Sequence, residues 1–304
     1  MSFDRLIKAI EQKRNPTVAG LDPTLDMIPE HIKAPCFKQF GKTLQGAAEA
    51  VLQFNKALID ALCDIVPAVK PQCAYYELLG WQGIKALCET IEYAEQKGLF
   101  VITDGKRNDI GSTMAAYAAA HLGQTDINGS VQTPFGSDAL TVNGYLGTDG
   151  IAPLLDICKT QDKGIFVLVK TSNPSSGELQ DKCIEGVPVY ETMGNMCEVW
   201  GADNIGEYGY SAVGAVVGAT YPEQLAELRK KLAHTFFLVP GYGAQGGGTA
   251  DIIGAFDKQG RGAVINSSRA IMCAYKKQND PENFALHARN EAIRMRDEIN
   301  SAIK

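Results

Sequence analysis

Length, composition and charge restrict the class of this protein before any motif is considered. The chain has 304 residues, of which 45% are hydrophobic and 21% charged, as is typical of a globular protein with a well-buried core. The formal net charge of −6 excludes a bulk basic field for nucleic acid, so any anionic ligand must be held by a local cluster of cations and backbone N–H groups.

Along the chain, short apolar runs alternate with longer amphipathic segments. Eight runs are apolar almost throughout, as expected of parallel strands buried on both faces. They are 17–21, 66–71, 99–104, 139–143, 165–170, 213–219, 236–240 and 263–266. Helical spacing predicts a first helix at 2–13 and further helices at 39–64, 81–97, 112–123, 150–160, 188–200, 222–232, 249–259 and 281–302.

This alternation predicts a parallel sheet with right-handed crossover connections. Eight units fit a closed (β/α)8 TIM barrel, a single domain over residues 1–304, with the helix at 2–13 closing the bottom. A doubly wound sheet would need six units and is the alternative. The barrel is favoured because polar residues cluster at the carboxyl ends of many strands, where barrel enzymes place their active sites. Two long stretches, 22–39 and 174–188, follow strand ends and are interpreted as rim loops or lids, or equally as passive loops.

The N-terminal residues and the cysteines indicate a soluble protein of a reducing compartment. The first segment is amphipathic, unlike the apolar part of a signal peptide, and no window reaches the roughly 18 apolar residues of a membrane-spanning helix. The eight cysteines are scattered through apolar stretches without a C-x-x-C pair, as expected of buried thiols. We therefore expect a cytoplasmic protein that binds neither membrane nor nucleic acid.

The most informative motif, D-G-K-R-N-D at 104–109, follows the third predicted strand. Two carboxylates and two cations at the end of a buried strand are costly to bury unless they pair. Asp104 and Lys106 are two residues apart, so both side chains would face the barrel axis if the segment is extended. Lys70 ends the preceding strand, about 4.8 Å away. The motif thus predicts a Lys–Asp–Lys cluster, with a salt-bridged strand end as the alternative and with Asp109 or Ser112 capping the next helix.

A second motif is the glycine-rich segment 240–248, which follows the seventh predicted strand. It contains G-x-G-x-x-G, but its place in the chain and the lack of a suitably spaced acidic residue argue against a dinucleotide fingerprint. Barrels commonly bind phosphate in the loops after strands seven and eight. Glycines let backbone N–H groups approach an anion, and Arg269 adds a planar, permanently charged group after the eighth strand. A flexible loop and a plain surface arginine are the alternatives.

Taken with these motifs, the chain resembles the orotidine 5′-phosphate decarboxylase family, particularly its longer bacterial branch. The resemblance runs from Gly20-Leu21-Asp22-Pro23 to Ser267-Ser268-Arg269, and its most specific element is the octapeptide at 104–111. It implies conversion of orotidine 5′-phosphate to uridine 5′-phosphate and CO2 in pyrimidine biosynthesis, without a metal or other cofactor. It also implies a homodimer with shared active sites.

The same resemblance implies the residues of the site. The catalytic tetrad would be Lys70, Asp104, Lys106 and Asp109, with Asp109 entering the partner subunit's site together with Ile110 and Thr113. Ser172 would read the base beside Asn173, although both could equally form a turn, and Asp22 would accept from the ribose hydroxyls or serve only a proline-flanked turn. Gln245 and Arg269 would hold the 5′-phosphate, and the remaining predicted binding residues are Pro240, Gly246, Gly247 and Ser268.

The chemistry of that reaction fits these residue types. Loss of CO2 from C6 of the pyrimidine leaves an electron pair that no carbonyl is placed to accept, so a fixed electrostatic field must stabilise it. Lys106 is predicted to stabilise and protonate the carbanion, while Asp104 opposes the substrate carboxylate. A Mg²⁺-dependent sugar-phosphate lyase of the same superfamily is one alternative, although it lacks the extended motif after Lys106. A non-catalytic nucleotide-binding barrel is the other, but it has no need for four clustered charges.

Overall fold

The computed structural model describes residues 2–243 and 248–303 and contains a closed barrel of eight parallel strands. The strands pair in sequence order around the barrel, and the last pairs with the first through Thr17 opposite Ile265. The predicted (β/α)8 barrel is therefore confirmed, and the doubly wound sheet is excluded. Numbered β1–β8, the strands span Thr17–Leu21, Ala68–Pro71, Phe100–Arg107, Ala139–Val142, Gly164–Lys170, Val213–Val217, Phe237–Val239 and Ala263–Ser267.

Helices connect these strands and close the chain at either end. Most predicted helices are found within a few residues of their expected bounds, and several short helices were not predicted. In the described residues, α1–α13 span Ser2–Lys13, Glu30–Phe40, Leu44–Leu62, Cys73–Glu77, Gly80–Gln96, Gly111–His121, Thr148–Thr160, Val189–Gly201, Pro222–Lys231, Thr249–Ile252, Arg269–Met272, Ala274–Gln278 and Phe284–Ala302. No helix of this part of the chain is both long and apolar enough to cross a bilayer.

The alternation of side chains along each strand separates the core into two layers. On β5, Phe166 packs inside the barrel, whereas Ile165 and Val167 pack outward against the surrounding helices. On β8, Val264 faces inward and Ile265 outward. Because both faces are apolar, each strand reads as a continuous hydrophobic run, which explains why the strands were recognisable from sequence.

Helix α1 closes the amino-terminal end of the barrel, as predicted. The ring of Phe3 lies 4.8 Å from that of Phe166 and 5.5 Å from that of Phe236, measured between centroids. Arg5 on the same helix donates to Asp138 at 2.7 Å, which fixes the helix against the start of β4. The interior is therefore filled at this end, and the opposite, carboxyl end is left for a site.

The connection between β1 and β2 differs from the predicted single helix at 39–64. Two helices, α2 and α3, are separated at Gly41, which has a φ of +72°, and Thr43 caps α3 by accepting from Gly46 N at 3.2 Å. The stretch 22–39, interpreted as a loop, contains most of α2. Pro35 lies inside that helix. Proline usually interrupts a helix, which is why the sequence pattern was misread here.

Three further segments depart from their predictions. The helix expected at 249–259 is only Thr249–Ile252 followed by a 3-10 turn. The stretch 174–188 contains a 3-10 helix at Pro174–Glu178 and a two-stranded hairpin of Cys183–Ile184 with Val187–Pro188. Another hairpin, Thr125–Ile127 with Ser130–Gln132, was not predicted. Short hairpins of this kind bury little surface and so leave a weak hydrophobic pattern.

Replacing Phe3 by Ala should destabilise the barrel without touching the opposite end. The side chain is fully buried between two other rings, so its loss leaves a cavity and should lower the free energy of unfolding by about 3–5 kcal/mol. Urea denaturation followed by circular dichroism measures this. Gln12→Ala, on the exposed face of the same helix, is the matched control and should change stability by less than about 0.5 kcal/mol. Equal stability of both variants would contradict the closing role of α1.

Candidate active site

A cavity of about 650 Å³ lies at the carboxyl ends of the barrel strands. Strand ends and the loops after them form its walls, so residues distant in sequence meet there. Nine of the sequence-predicted site residues line it: Asp22, Lys70, Asp104, Lys106, Ser172, Asn173, Pro240, Ser268 and Arg269. Sequence reasoning gave no role to several others, among them Tyr75, Thr141, Gln180, Asn266 and Ser267.

Asp104 lies between two lysines at the base of this cavity. Lys70 Nζ donates to Asp104 Oδ2 at 2.6 Å, and Lys106 Nζ donates to Asp104 Oδ1 at 2.6 Å. Lys70 is 4% exposed, whereas the side chain of Lys106 is 45% exposed and so remains open to a ligand. The structure therefore brings together a chain of three charges with its free end in the cavity.

The opposite charges around Asp104 and Lys70 keep both of these groups ionised. Burial alone would raise the pKa of the Asp104 carboxyl group, but the charges of Lys70 and Lys106 and their hydrogen bonds hold it well below its usual range. Burial would likewise lower the pKa of Lys70, yet the neighbouring charges of Asp104 and Asp22 raise it above its ordinary value. Asp104 and Lys70 are thus both charged at neutral pH, despite their burial.

The end of β3 is irregular, and this irregularity places Lys106. Thr103 pairs with Leu140 and Arg107 with Val142, so four residue steps on β3 face two on β4. Lys106 itself has a left-handed backbone with a φ of +47°, a conformation that non-glycine residues rarely adopt outside special sites. The proximity of Lys106 to Asp104 therefore depends on a bulged strand end, not on the regular extended geometry assumed from sequence.

Thr141 on β4 ties this irregular strand end in place. Its Oγ1 donates to Asp104 Oδ1 at 2.8 Å and accepts from the backbone N–H of Lys106 at 2.9 Å. One hydroxyl thus satisfies both the carboxylate and the strained backbone beside it. Sequence reasoning missed Thr141, although a polar residue within the apolar run 139–143 was the available signal.

Three buried polar atoms of the cavity wall have no hydrogen-bond partner among the described residues. They are Asp22 Oδ1, Asn266 Oδ1 and Ser267 Oγ, which come from the ends of β1 and β8. Buried polar atoms in proteins are nearly always hydrogen-bonded. This side of the cavity is therefore suited to a ligand that carries hydroxyl donors.

The end of β8 forms the cationic part of the wall. Arg269 begins α11, is exposed, and makes no salt bridge within the described residues. Ser268 precedes it and packs against β1, where a Cβ on Gly20 would lie 1.9 Å from the Ser268 hydroxyl, so only glycine fits there. Three predicted phosphate-loop residues, Gln245, Gly246 and Gly247, lie outside the described residues.

Asp109, Ile110 and Thr113 are on the rim and do not join the cavity of their own chain. Ile110 is 52% exposed, and Asp109 Oδ1 accepts from the Ile110 N–H at 2.8 Å. Helix α6 begins after Ile110, and no side chain caps it. The prediction that Asp109 or Ser112 caps this helix is therefore wrong, because Asp109 accepts from the N–H of Ile110, which precedes the helix.

Among described residues, no group of three or more His, Cys, Asp or Glu is arranged to hold a metal ion.

Comparison with known proteins identifies the family of this chain. Residues 35–283 match the model of the orotidine 5′-phosphate decarboxylase / HUMPS family. An orotidine 5′-phosphate decarboxylase of Rhodopirellula baltica is 45% identical over 300 residues, covering 97% of each chain. One from Clostridium tetani is 43% identical over 304 residues, covering 100% of this chain and 99% of its own.

Among solved structures, a Toxoplasma gondii protein assigned as an orotidine-monophosphate decarboxylase superposes with a TM-score of 0.79 at 29% identity. The match covers 99% of this chain and 97% of the other. Family match, curated relatives and structural neighbour thus agree over nearly the full length of the barrel. The chain belongs to the orotidine 5′-phosphate decarboxylase / HUMPS family.

Proposed function

We propose that this protein decarboxylates orotidine 5′-phosphate to uridine 5′-phosphate and CO2, a step of pyrimidine biosynthesis, and that the whole chain acts as one catalytic domain. The observation that carries the proposal is the Lys70–Asp104–Lys106 chain at the base of a cavity whose wall carries polar atoms without partners among the described residues. The full-length relatives named above are orotidine 5′-phosphate decarboxylases. They favour this activity over the sugar-phosphate lyase.

We assign the stabilisation and protonation of the carbanion to Lys106. The bond between C6 and the carboxyl carbon breaks, CO2 leaves, and the electron pair stays on C6. The Lys106 ammonium stabilises that charge and then gives its proton to C6, and its partial exposure lets solvent restore the proton. A positive group already fixed in place needs little reorganisation during the reaction, which is the origin of such electrostatic catalysis.

Asp104 has two roles in this proposal. Its charge, maintained by the two lysines, opposes the carboxylate of the bound substrate, and departure of CO2 relieves that repulsion. Its oxygen Oδ1 also directs Lys106. Thr141 serves both roles, since it holds Asp104 and the Lys106 backbone at the same time.

Recognition of the substrate is assigned to the cavity walls. Arg269, with Gln245 and the neighbouring glycines, would hold the 5′-phosphate, and Asp22 would accept from the ribose hydroxyls. Ser172 and Asn173, after β5, would bond the amide edge of the base. Each assignment uses a group whose charge or hydrogen-bonding capacity matches that part of the ligand.

The assembly proposed is a homodimer in which Asp109, Ile110 and Thr113 complete the partner's site. Its support is that these residues face outward, next to further exposed apolar side chains. Tyr145 is 77% exposed and Leu146 48% exposed in the loop before α7, which packs against α6.

We also propose that the protein works in the cytoplasm, where its eight free cysteines would remain reduced.

Release of CO2 from orotidine 5′-phosphate in the presence of a metal chelator tests the activity directly. We expect turnover to be undiminished by the chelator, because every charge assigned to the reaction comes from a side chain. Loss of activity with the chelator and its return with Mg²⁺ would favour the sugar-phosphate lyase chemistry instead. Binding of uridine 5′-phosphate without any CO2 release would favour a non-catalytic barrel.

Replacing Lys106 by Ala should leave a folded protein with almost no turnover. The change removes the proton donor and the countercharge, so kcat should fall by about a hundredfold to ten-thousandfold or more. Lys8→Ala, an exposed lysine on α1 at the other end of the barrel, is the control and should retain full activity. Turnover of Lys106→Ala within about tenfold of wild type would refute the role assigned to Lys106.

Replacing Arg269 by Ala should raise KM for the substrate. The change removes a charged hydrogen bond worth about 1.5–3 kcal/mol, which corresponds to a rise of about 10- to 150-fold. Arg296→Ala, at the opposite end of the barrel, should leave KM unchanged. Unchanged binding of uridine 5′-phosphate by Arg269→Ala would place the phosphate site elsewhere.

A shared site can be tested by mixing inactive variants. Lys106→Ala and Asp109→Ala homodimers should each be nearly inactive, because every site lacks one required group. After joint unfolding and refolding, about half of the dimers should be mixed. In each of these, one site carries both lesions and the other carries neither, so about a quarter of all sites should regain activity.

The matched control mixes Lys106→Ala with the Lys106→Ala, Asp109→Ala double variant. No pairing of these chains can restore a complete site, so activity should stay at background. If mass spectrometry shows mixed dimers in the first experiment and activity nonetheless fails to recover, Asp109 acts only in its own chain and the shared-site model is wrong.

A further inference from the structure

Lys170, a second buried lysine at the active-site face, has no part in the reaction proposed above. It ends β5, its side chain is 0% exposed, and it is not among the residues that line the cavity. Its Nζ donates to Asp181 Oδ1 at 2.7 Å and to Ser176 Oγ at 3.1 Å, and lies 4.2 Å from the centre of the Tyr221 ring. Its ammonium group is therefore fully partnered within the protein.

The direction of this side chain results from a bulge in β5. In a regular strand, Lys170 would share the face of Leu168, which lines the cavity. Val216 pairs with Leu168 and Val217 with Lys170, so two residue steps on β5 face one on β6. A bulge of this kind redirects the side chain that follows it. Lys170 is thereby kept out of the cavity, and its charge is not added to that of the Lys–Asp–Lys cluster.

Lys170 and Asp181 are the two ends of one loop. Residues 171–181 follow β5, and four residues of this loop line the cavity wall: Thr171, Ser172, Asn173 and Gln180. The ion pair joins Lys170, which immediately precedes the loop, to Asp181, which is its last residue. Gln224 of α9 also donates to Asp181 at 3.2 Å, so the far end of the loop is tied to the barrel as well.

Hydrogen bonds within the loop carry this constraint to the cavity wall. Ser176 Oγ donates to the Tyr221 hydroxyl at 3.3 Å, and that hydroxyl donates to the carbonyl of Asn173 at 3.4 Å. Next to the ion pair, the Gln180 amide accepts from Thr171 N at 2.9 Å and donates to Thr171 Oγ1 at 2.8 Å. Contacts of Lys170 thus continue to the backbone on either side of Ser172.

The pair joins a fully buried lysine to a carboxylate that is 39% exposed, and ion pairs that reach solvent contribute little to stability. What the pair supplies is a defined geometry. We propose that Lys170 is a positioning residue, which together with Asp181 holds the 171–181 loop so that Ser172, Asn173 and Gln180 meet the base of the substrate. This inference rests on the proposed function, since it assigns the loop to recognition of a pyrimidine base.

The test compares two ligands that differ only in the base. Uridine 5′-phosphate carries phosphate, ribose and base, whereas ribose 5-phosphate lacks the base, and both are measured as inhibitors of wild type and Lys170→Met. Methionine has a similar length without the charge. We expect inhibition by uridine 5′-phosphate to weaken about 10- to 100-fold and KM for orotidine 5′-phosphate to rise similarly. The reason is that a shift of the loop by about 1 Å is enough to break its hydrogen bonds to the base. Inhibition by ribose 5-phosphate should be unchanged.

Two further variants make the result interpretable. Lys163→Met removes a lysine from the other end of β5, where it contacts the Gly136 carbonyl, and should affect neither ligand. Asp181→Asn keeps the shape of the partner but removes its charge, and should reproduce the selective loss for uridine 5′-phosphate even if Lys170→Met folds poorly.

The outcomes separate this inference from the activity itself. Equal weakening of both inhibitors in Lys170→Met and Asp181→Asn would indicate general damage, and wild-type affinities in both variants would indicate no role; either result overturns the inference. If the wild-type protein neither releases CO2 nor binds uridine 5′-phosphate, it is the proposed function that fails.

Discussion

The ion pairs of Asp104 with two lysines are the interaction on which the rest of the active site depends. A carboxylate buried this deeply is unfavourable unless cations lie beside it, and Lys70, almost fully buried, is equally unfavourable without the carboxylate. The cluster is therefore stable only as a unit. Because it joins the ends of β2 and β3, it also fixes the spacing of the strands that carry it, and the field at the cavity base exists before any ligand binds.

Around this cluster, the barrel separates two tasks. Strand ends supply the charges, and these are held by contacts across neighbouring strands, as Thr141 holds Asp104 and Lys106. Loops supply the contacts to the ligand and need their own supports, such as the ion pair of Lys170 with Asp181. Both strands are bulged, at Lys106 and at Lys170, and at Lys170 a regular strand would turn the side chain into the cavity.

Sequence patterns predicted the barrel well because its parallel strands are buried on both faces and appear as uninterrupted apolar runs. Lys70, Asp104 and Lys106 were identifiable because charges at the ends of such runs are conspicuous. The break at Gly41 was not predicted, since the apolar pattern continues across it. Thr141 and the direction of Lys170 were also missed, because both depend on strand register, which a single sequence does not reveal.

The packing of Phe3 between Phe166 and Phe236 determines where ligands can enter and leave the barrel. With the amino-terminal end filled by aromatic rings, the cavity communicates with solvent at its carboxyl mouth. Substrate, CO2 and nucleotide product must then pass through the same opening. CO2 is small and uncharged, whereas the nucleotide carries the phosphate that we assign to Arg269. The shape of the barrel thus confines the entry of substrate and the departure of both products to the face that carries the strand-end loops.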